Sequence, residues 1–185
     1  SLTIVPGNNA LPIHPFLDRS LTPREAARLQ SFPDSHIFSG DRRRQCILAG
    51  NAVPPLLGLA LAGAIKRHIH PFKGQAAIAS KARARSSLVP RDAAVSADRE
   101  DMFTSNQEAR SKFGFVDLFC GAGGFTVGFK NAGLSAYASC DFNDRVREAH
   151  KANFPEVPFV HGDLADPEVQ MQVSKHSIAE PFVVV

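Results

Sequence analysis

The chain has little cysteine, little net charge and no long apolar run, and each shortage removes a class of protein. Its three cysteines, Cys46, Cys120 and Cys140, are odd in number and lack the spacing of a disulfide framework or a zinc site, so reduced thiols and an intracellular home are expected, cytoplasmic or at the nucleoid if bacterial. Lysine and arginine number 21 against 18 acidic residues, a formal charge of +3. That is compatible with a polyanionic partner but far from the dense basic stripe that argues for nucleic-acid binding by itself. No apolar run approaches the ~20 residues of a membrane span and no signal peptide opens the chain, so no membrane partner is expected. The first residue is Ser1, which suggests a processed product or a piece of a longer chain.

What is present is ordinary for a soluble fold: 185 residues, 44% hydrophobic and 21% charged, enough for one medium domain with appendages. The sequence divides into 1–69, 70–112 and 113–185. In the first stretch, Thr22-Pro23-Arg24-Glu25 is a capping box with proline at the first helical position, predicting a helix from Thr22 to Phe32 that Pro33 stops. A second helix is predicted over 56–69 after Pro54 and Pro55; apolar nearly all round, it is expected to be buried against a sheet. Arg42-Arg43-Arg44 reads as a solvated loop or a phosphate contact. Residues 70–112 carry small residues and scattered charge without an apolar period, the mark of a linker; the alternative is a weak helix around 76–85.

From 113 onward strands and helices alternate. Short apolar strands are predicted at 113–119, 136–140, 158–161 and 181–185. Helices are predicted at 125–132, closed by Gly133, and from an Asn143 cap to Asn153. This βαβαβ order predicts an α/β fold with a doubly wound parallel sheet.

The first strand runs into Cys120-Gly121-Ala122-Gly123-Gly124-Phe125, where glycines let the backbone approach a ligand and the next helix presents free amides. Asp141 ends the second strand, where a carboxylate can accept both hydroxyls of a ribose; Asp163 ends the third, over the same crevice and within reach of an adenine amino group. A dinucleotide fingerprint needs a third glycine where Thr126 stands, which weakens a nicotinamide reading. An adenosine ligand without a pyrophosphate, such as a methyl donor, fits better. The bland alternative is a tight turn and two helix-capping acids.

Asp117-Leu118-Phe119-Cys120-Gly121-Ala122-Gly123-Gly124-Phe125 closely resembles the cofactor loop of DNA (cytosine-5) methyltransferases, and Ala138-Ser139-Cys140-Asp141-Phe142-Asn143 resembles that family's next block. The run from Arg19 to Pro33 is similar to the block after the target-recognition region, and Gly50-Asn51-Ala52-Val53-Pro54-Pro55 to the closing block. The resemblance implies a Rossmann-like S-adenosylmethionine fold, incomplete here and in permuted order, because the closing blocks come first, as in a circularly permuted member or a junction between two tandem copies. It implies that Phe119 packs on the adenine, Gly121, Ala122 and Gly123 line the methionine part, Asp141 holds the ribose and Phe142 faces the base. Asp163 and Leu164 would complete the adenine pocket, and Asn51 and Val53 would close over the cofactor.

The family's proline-cysteine nucleophile loop follows the fourth strand, where this sequence stops, so no catalytic residue is assigned and the chain alone is expected to be inactive. DNA would be the partner of the complete enzyme, of which this chain would be either a segment truncated at both ends or a part completed by a second polypeptide carrying the nucleophile and the target-recognition region. Competing readings are a silent binding or assembly module and a nicotinamide-binding fragment. Restriction-modification is the biological setting that the resemblance suggests. Cys120 and Cys140 read as framework thiols, and His68 and His70 as a solvated helix end without metal. An unpaired apolar fourth strand would be an aggregation hazard.

Overall fold

The computed structural model describes residues 12–69, 114–176 and 182–184. The expected linker, its alternative helix at 76–85 and His70 lie outside the described residues.

Helix α1 (Pro23–Leu29) starts as its capping box dictates: Thr22 accepts from the Glu25 amide, and Glu25 reaches back to the Thr22 amide at 2.8 Å. It stops three residues before the predicted Phe32, because Ser31 takes a left-handed turn at φ 65°. Phe32 then folds back to donate its amide to Ala27 and bury its ring. Of the two readings of the arginine run, the solvated loop is wrong, and nothing here tests the phosphate contact. The run opens helix α2 (Arg42–Asn51), whose cap, Asp41, accepts from the Arg44 amide at 2.9 Å.

Helix α3 (Pro55–Ile69) is predicted correctly in place but not in burial. Leu57 and Leu61 are 58% and 40% exposed, so only one face is covered, chiefly by a helix and by the Phe115 ring. The stretch Arg42–His68 does reach the length and mean hydropathy of a spanning helix, 1.6 over its best window, contrary to the expectation that no run approaches that length. Here Ala52-Val53-Pro54 breaks it into two helices.

The second half supplies β1 (Gly114–Asp117), α4 (Gly124–Asn131), β2 (Ser135–Asp141), α5 (Asp144–Asn153), β3 (Phe159–His161), α6 (Pro167–His176) and β4 (Phe182–Val184). Helix α6 has no counterpart among the expected elements. The strands form a parallel sheet in the order β3-β2-β1-β4, so β4 is joined to β1 on one side and is an edge strand on the other, where the expected hazard stands among the described residues. Alternation along β1 sends Phe115 to one face, with Phe129, Leu134 and Ala62, and Val116 to the other, with Ala138, Cys140, Val160 and the α6 residues Val169 and Val173. Val127, Phe154 and Val157 extend the first face. Helices therefore cover both faces, an α/β arrangement in which β1 is central and the chain leaves it first toward β2, later toward β4. Ligands bind such sheets at the carboxyl ends of the strands, where that direction changes.

The two halves of the chain meet through glycines. A Cβ on Gly128 of α4 would lie 2.4 Å from the Pro55 carbonyl oxygen and 2.6 Å from the Leu59 nitrogen, and Gly58 of α3 faces it in turn. The helices thus touch backbone to backbone, and Lys66 adds a 2.8 Å bond to the Ala132 carbonyl at the far end.

Candidate functional site

The turn after β1 is shaped by two glycines with positive φ, Gly121 at 48° and Gly123 at 81°, conformations that a side chain disfavours. Gly123 has a second constraint, since a Cβ there would lie 2.4 Å from the Phe154 ring. The Gly121 amide donates to Asp141 Oδ2 at 2.9 Å, and the Gly123 amide closes the turn on the Cys120 carbonyl at 2.6 Å. Beyond it, α4 begins with no side-chain cap; the Thr126 amide turns to Asp117, which leaves the Gly124 and Phe125 amides to an anion or carboxylate.

Asp141 is 7% exposed and also accepts from the Asn143 amide through Oδ1 at 2.8 Å. Each oxygen keeps a further lone pair. Helix α5 is capped by Asn143 itself, which accepts from the Arg145 amide, so capping is not what Asp141 is for. Around this centre the rings of Phe119 and Phe142 are each 70% exposed. Large apolar side chains standing in solvent beside a buried carboxylate are the usual dress of a ligand site.

The third strand end joins through its backbone: the Gly162 amide donates to the Asp141 carbonyl at 3.2 Å, and the His161 ring nitrogen lies 3.1 Å from the Phe142 carbonyl. Asp163 is exposed and accepts from the Ala165 amide at 2.9 Å, shaping the turn into α6. Leu164 packs beneath, against the Val116 and Val160 face. Val53 reaches the glycine loop from the other half of the chain. Its carbonyl oxygen would lie 1.8 Å from a Cβ on Gly124. Asn51 ends α2 with its side chain exposed and enters the group only through the turn that it begins.

Phe119, Gly121, Ala122, Gly123, Asp141, Phe142 and Val53 are thus brought together, Asp163 lies one strand away, Leu164 lies underneath and Asn51 stands at the margin. Two buried residues that sequence reasoning passed over complete the geometry. Asp117, 1% exposed on β1, accepts from the Thr126 hydroxyl at 2.8 Å through Oδ2, while its Oδ1 has no partner. Burial pushes its carboxyl up to about 6 despite the Thr126 bonds, with nearby Asp141 adding to the rise. A lone carboxylate inside an apolar strand is the signal that could have found it. His36, on the loop after α1, lies 2.8 Å by Nε2 from the Ala122 carbonyl; nothing local in the sequence marks it.

Cys120 and Cys140 are buried, and burial, reinforced by the neighbouring carboxylates, pushes both thiols up from their ordinary value. Such thiols are poor nucleophiles. Among the described residues no group of three metal-ligating side chains occurs.

The family model described as C-5 cytosine-specific DNA methylase matches residues 3–67 and 113–178, both halves of the chain. Over 54 residues the chain is 57% identical to type II methyltransferase M.AgeI of Thalassovita gelatinovora, covering 29% of this chain and 13% of that protein. Over 58 residues it is 53% identical to type II methyltransferase M.DdeI of Desulfomicrobium norvegicum, 27% of this chain and 14% of the other. It is 44% identical over 64 residues, 35% of this chain, to DNA (cytosine-5)-methyltransferase 2 of Arabidopsis thaliana, of which that covers 4%. Each match is therefore a small part of a much longer relative.

Proposed function

This chain belongs to the C-5 cytosine-specific DNA methylase family, and we propose that it is the S-adenosylmethionine-binding part of an enzyme that methylates carbon 5 of cytosine in DNA. When bound, the cofactor supplies an electrophilic methyl group on a sulfonium. The observation that carries the reading is the buried pair of carboxylates, Asp117 and Asp141, on neighbouring strand ends, with Asp141 tied to the glycine loop through the Gly121 amide and with the solvent-exposed rings of Phe119 and Phe142 close by in the chain.

The donor set fits the molecule. Asp141 has free lone pairs for ribose hydroxyls. The unpartnered Oδ1 of Asp117 suits an ammonium group beside the glycine loop, and the open amides of α4 suit a carboxylate. Phe119 and Phe142 offer faces for the adenine, with Asp163 and Leu164 at its edge, while Gly121, Ala122 and Gly123 line the methionine part and Asn51 and Val53 cover it. The nicotinamide alternative loses ground on a physical detail. Thr126, where a dinucleotide loop has its third glycine, is fully buried and committed to Asp117.

In this reading the closing blocks precede the cofactor loop, a permuted order. The packing of α3 on α4 and Phe115 makes such an order sterically simple, because the end of α3 lies beside the start of the sheet. The nucleophile and the target-recognition region come from a complementing polypeptide or from sequence beyond these residues. The chain alone is accordingly expected not to methylate DNA, and its setting is intracellular, in restriction-modification.

Titration calorimetry with S-adenosylmethionine, S-adenosylhomocysteine and NAD tests the reading. The first two are expected to bind, and Asp141→Ala to weaken both by about 1–3 kcal/mol, as for a lost hydrogen bond to a buried charge. Binding of NAD alone, or affinity unchanged in Asp141→Ala, would refute it.

A further inference from the structure

His36 lies in the half of the chain remote from the glycine loop, 86 residues before Ala122. It is 3% exposed, with its ring among Phe32, Phe38 and Phe154 at centroid distances of 4.7, 5.1 and 6.0 Å. Because a carbonyl only accepts, the Nε2 atom 2.8 Å from the Ala122 oxygen must carry hydrogen. Burial lowers its pKa to about 4, so the neutral ring has one proton and the structure directs it at the glycine loop.

The carbonyl that it grips belongs to the peptide joining Ala122 to Gly123. A peptide is planar, so fixing its C=O fixes the opposing Gly123 N–H, which closes the loop on the Cys120 carbonyl. Gly123 has the rotational freedom to let that peptide flip. A donor that meets the carbonyl removes this freedom before any ligand arrives.

The neighbouring residue is anchored separately. The Ile37 amide donates to Asn153 Oδ1 at 2.8 Å, and Asn153 Nδ2 returns a bond to the Ile37 carbonyl at 2.7 Å. Arg24 braces the same loop from behind, donating to the His36 carbonyl at 2.7 Å. Docking and orientation are thus assigned to adjacent residues, Ile37 and His36.

We infer that His36 is a positioning residue for the cofactor: its Nε2–H holds the 122–123 peptide in the orientation that receives the methionine end, so one side chain from the first half of the chain sets ligand affinity in the second. This rests on the cofactor reading above.

Two substitutions separate positioning from packing. His36→Phe keeps an aromatic ring and removes the donor; His36→Gln removes the ring and keeps an amide N–H at similar reach. Calorimetry of the full chain with S-adenosylhomocysteine is expected to show affinity about tenfold weaker in His36→Phe, as for one lost hydrogen bond, and recovered to within about threefold of the parent in His36→Gln. Asn153→Ala is expected to lower the melting temperature and leave affinity unchanged. In the unsubstituted chain, nitrogen-15 NMR is expected to show the Nε2–H tautomer of His36, with a slowly exchanging proton whose shift moves on ligand addition. Full affinity in His36→Phe, no recovery in His36→Gln, or an Nδ1–H tautomer overturns the inference. If the unsubstituted chain binds neither S-adenosylmethionine nor S-adenosylhomocysteine, the cofactor reading itself falls, and this inference with it.

Discussion

Replacing Gly128 by alanine tests the backbone-to-backbone contact between α3 and α4, and Gly63→Ala supplies the control. Both glycines lie inside helices, where alanine is normally better by about 0.5–1 kcal/mol. At Gly63 the new methyl would meet nothing closer than Arg67 Nη1 at 3.7 Å, so the full gain is expected. At Gly128 the methyl would sit 2.4 Å from the Pro55 oxygen and 2.8 Å from the Gly58 carbonyl carbon, backbone atoms that no rotamer change can move. The helices must separate by about 1 Å to restore ordinary contact near ~3.5 Å, and overpacking of that kind costs about 1–3 kcal/mol. The clash outweighs the propensity gain. With roughly 2–4 °C of melting temperature per kcal/mol for a chain of this size, thermal denaturation followed by circular dichroism should show Gly63→Ala melting a few degrees higher and Gly128→Ala several degrees lower. If Gly128→Ala gains stability as Gly63→Ala does, the two helices do not touch there and the joining of the two halves has been misread.

Asp117→Asn is expected to stabilise the ligand-free chain near neutral pH while weakening S-adenosylmethionine binding. A carboxyl raised from 3.8 to about 6 holds its proton more tightly folded than unfolded, so it costs stability as pH rises from about 4 through 6. The gap in melting temperature between variant and parent should therefore close on acidification across that window, and a gap constant from pH 7 to 4 would rule the ionised carboxylate out. Thr22→Ala removes the α1 cap and should cost about 0.5–2 kcal/mol in chemical denaturation, without changing affinity for S-adenosylhomocysteine; an affinity loss would mean that α1 belongs to the site.

The parts legible in the sequence are those fixed by neighbours in the chain. Thr22 and Glu25 cap α1 within four residues, Asn143 caps α5, and Gly133 ends α4 with φ 80°. Residues 120–125 announced a tight glycine turn after β1 because their backbone demands are local. Helix α2 was not legible, because an opening Arg-Arg-Arg-Gln looks like solvated loop until Asp41 is seen to cap it, and it buries only Cys46 and Ala49. Helix α6 hid for a similar reason, offering just Val169 and Val173 to the core. The end of α1 depended on Phe32 finding a pocket beside Phe38, Ala49 and Ala122, a long-range matter. His36 is the same kind of omission, a buried polar side chain whose meaning comes from a partner 86 residues away that only folding supplies, whereas Asp117 stood marked as a carboxylate inside an apolar strand.

The two-way bond between Asn153 and residue 37 is made to main chain alone, while the isoleucine side chain is 49% exposed. An amide that reads another residue's backbone is indifferent to which amino acid carries it. Position 37 is therefore free to drift under selection without unfastening the two halves, proline excepted for want of a hydrogen, whereas position 153 has no such latitude.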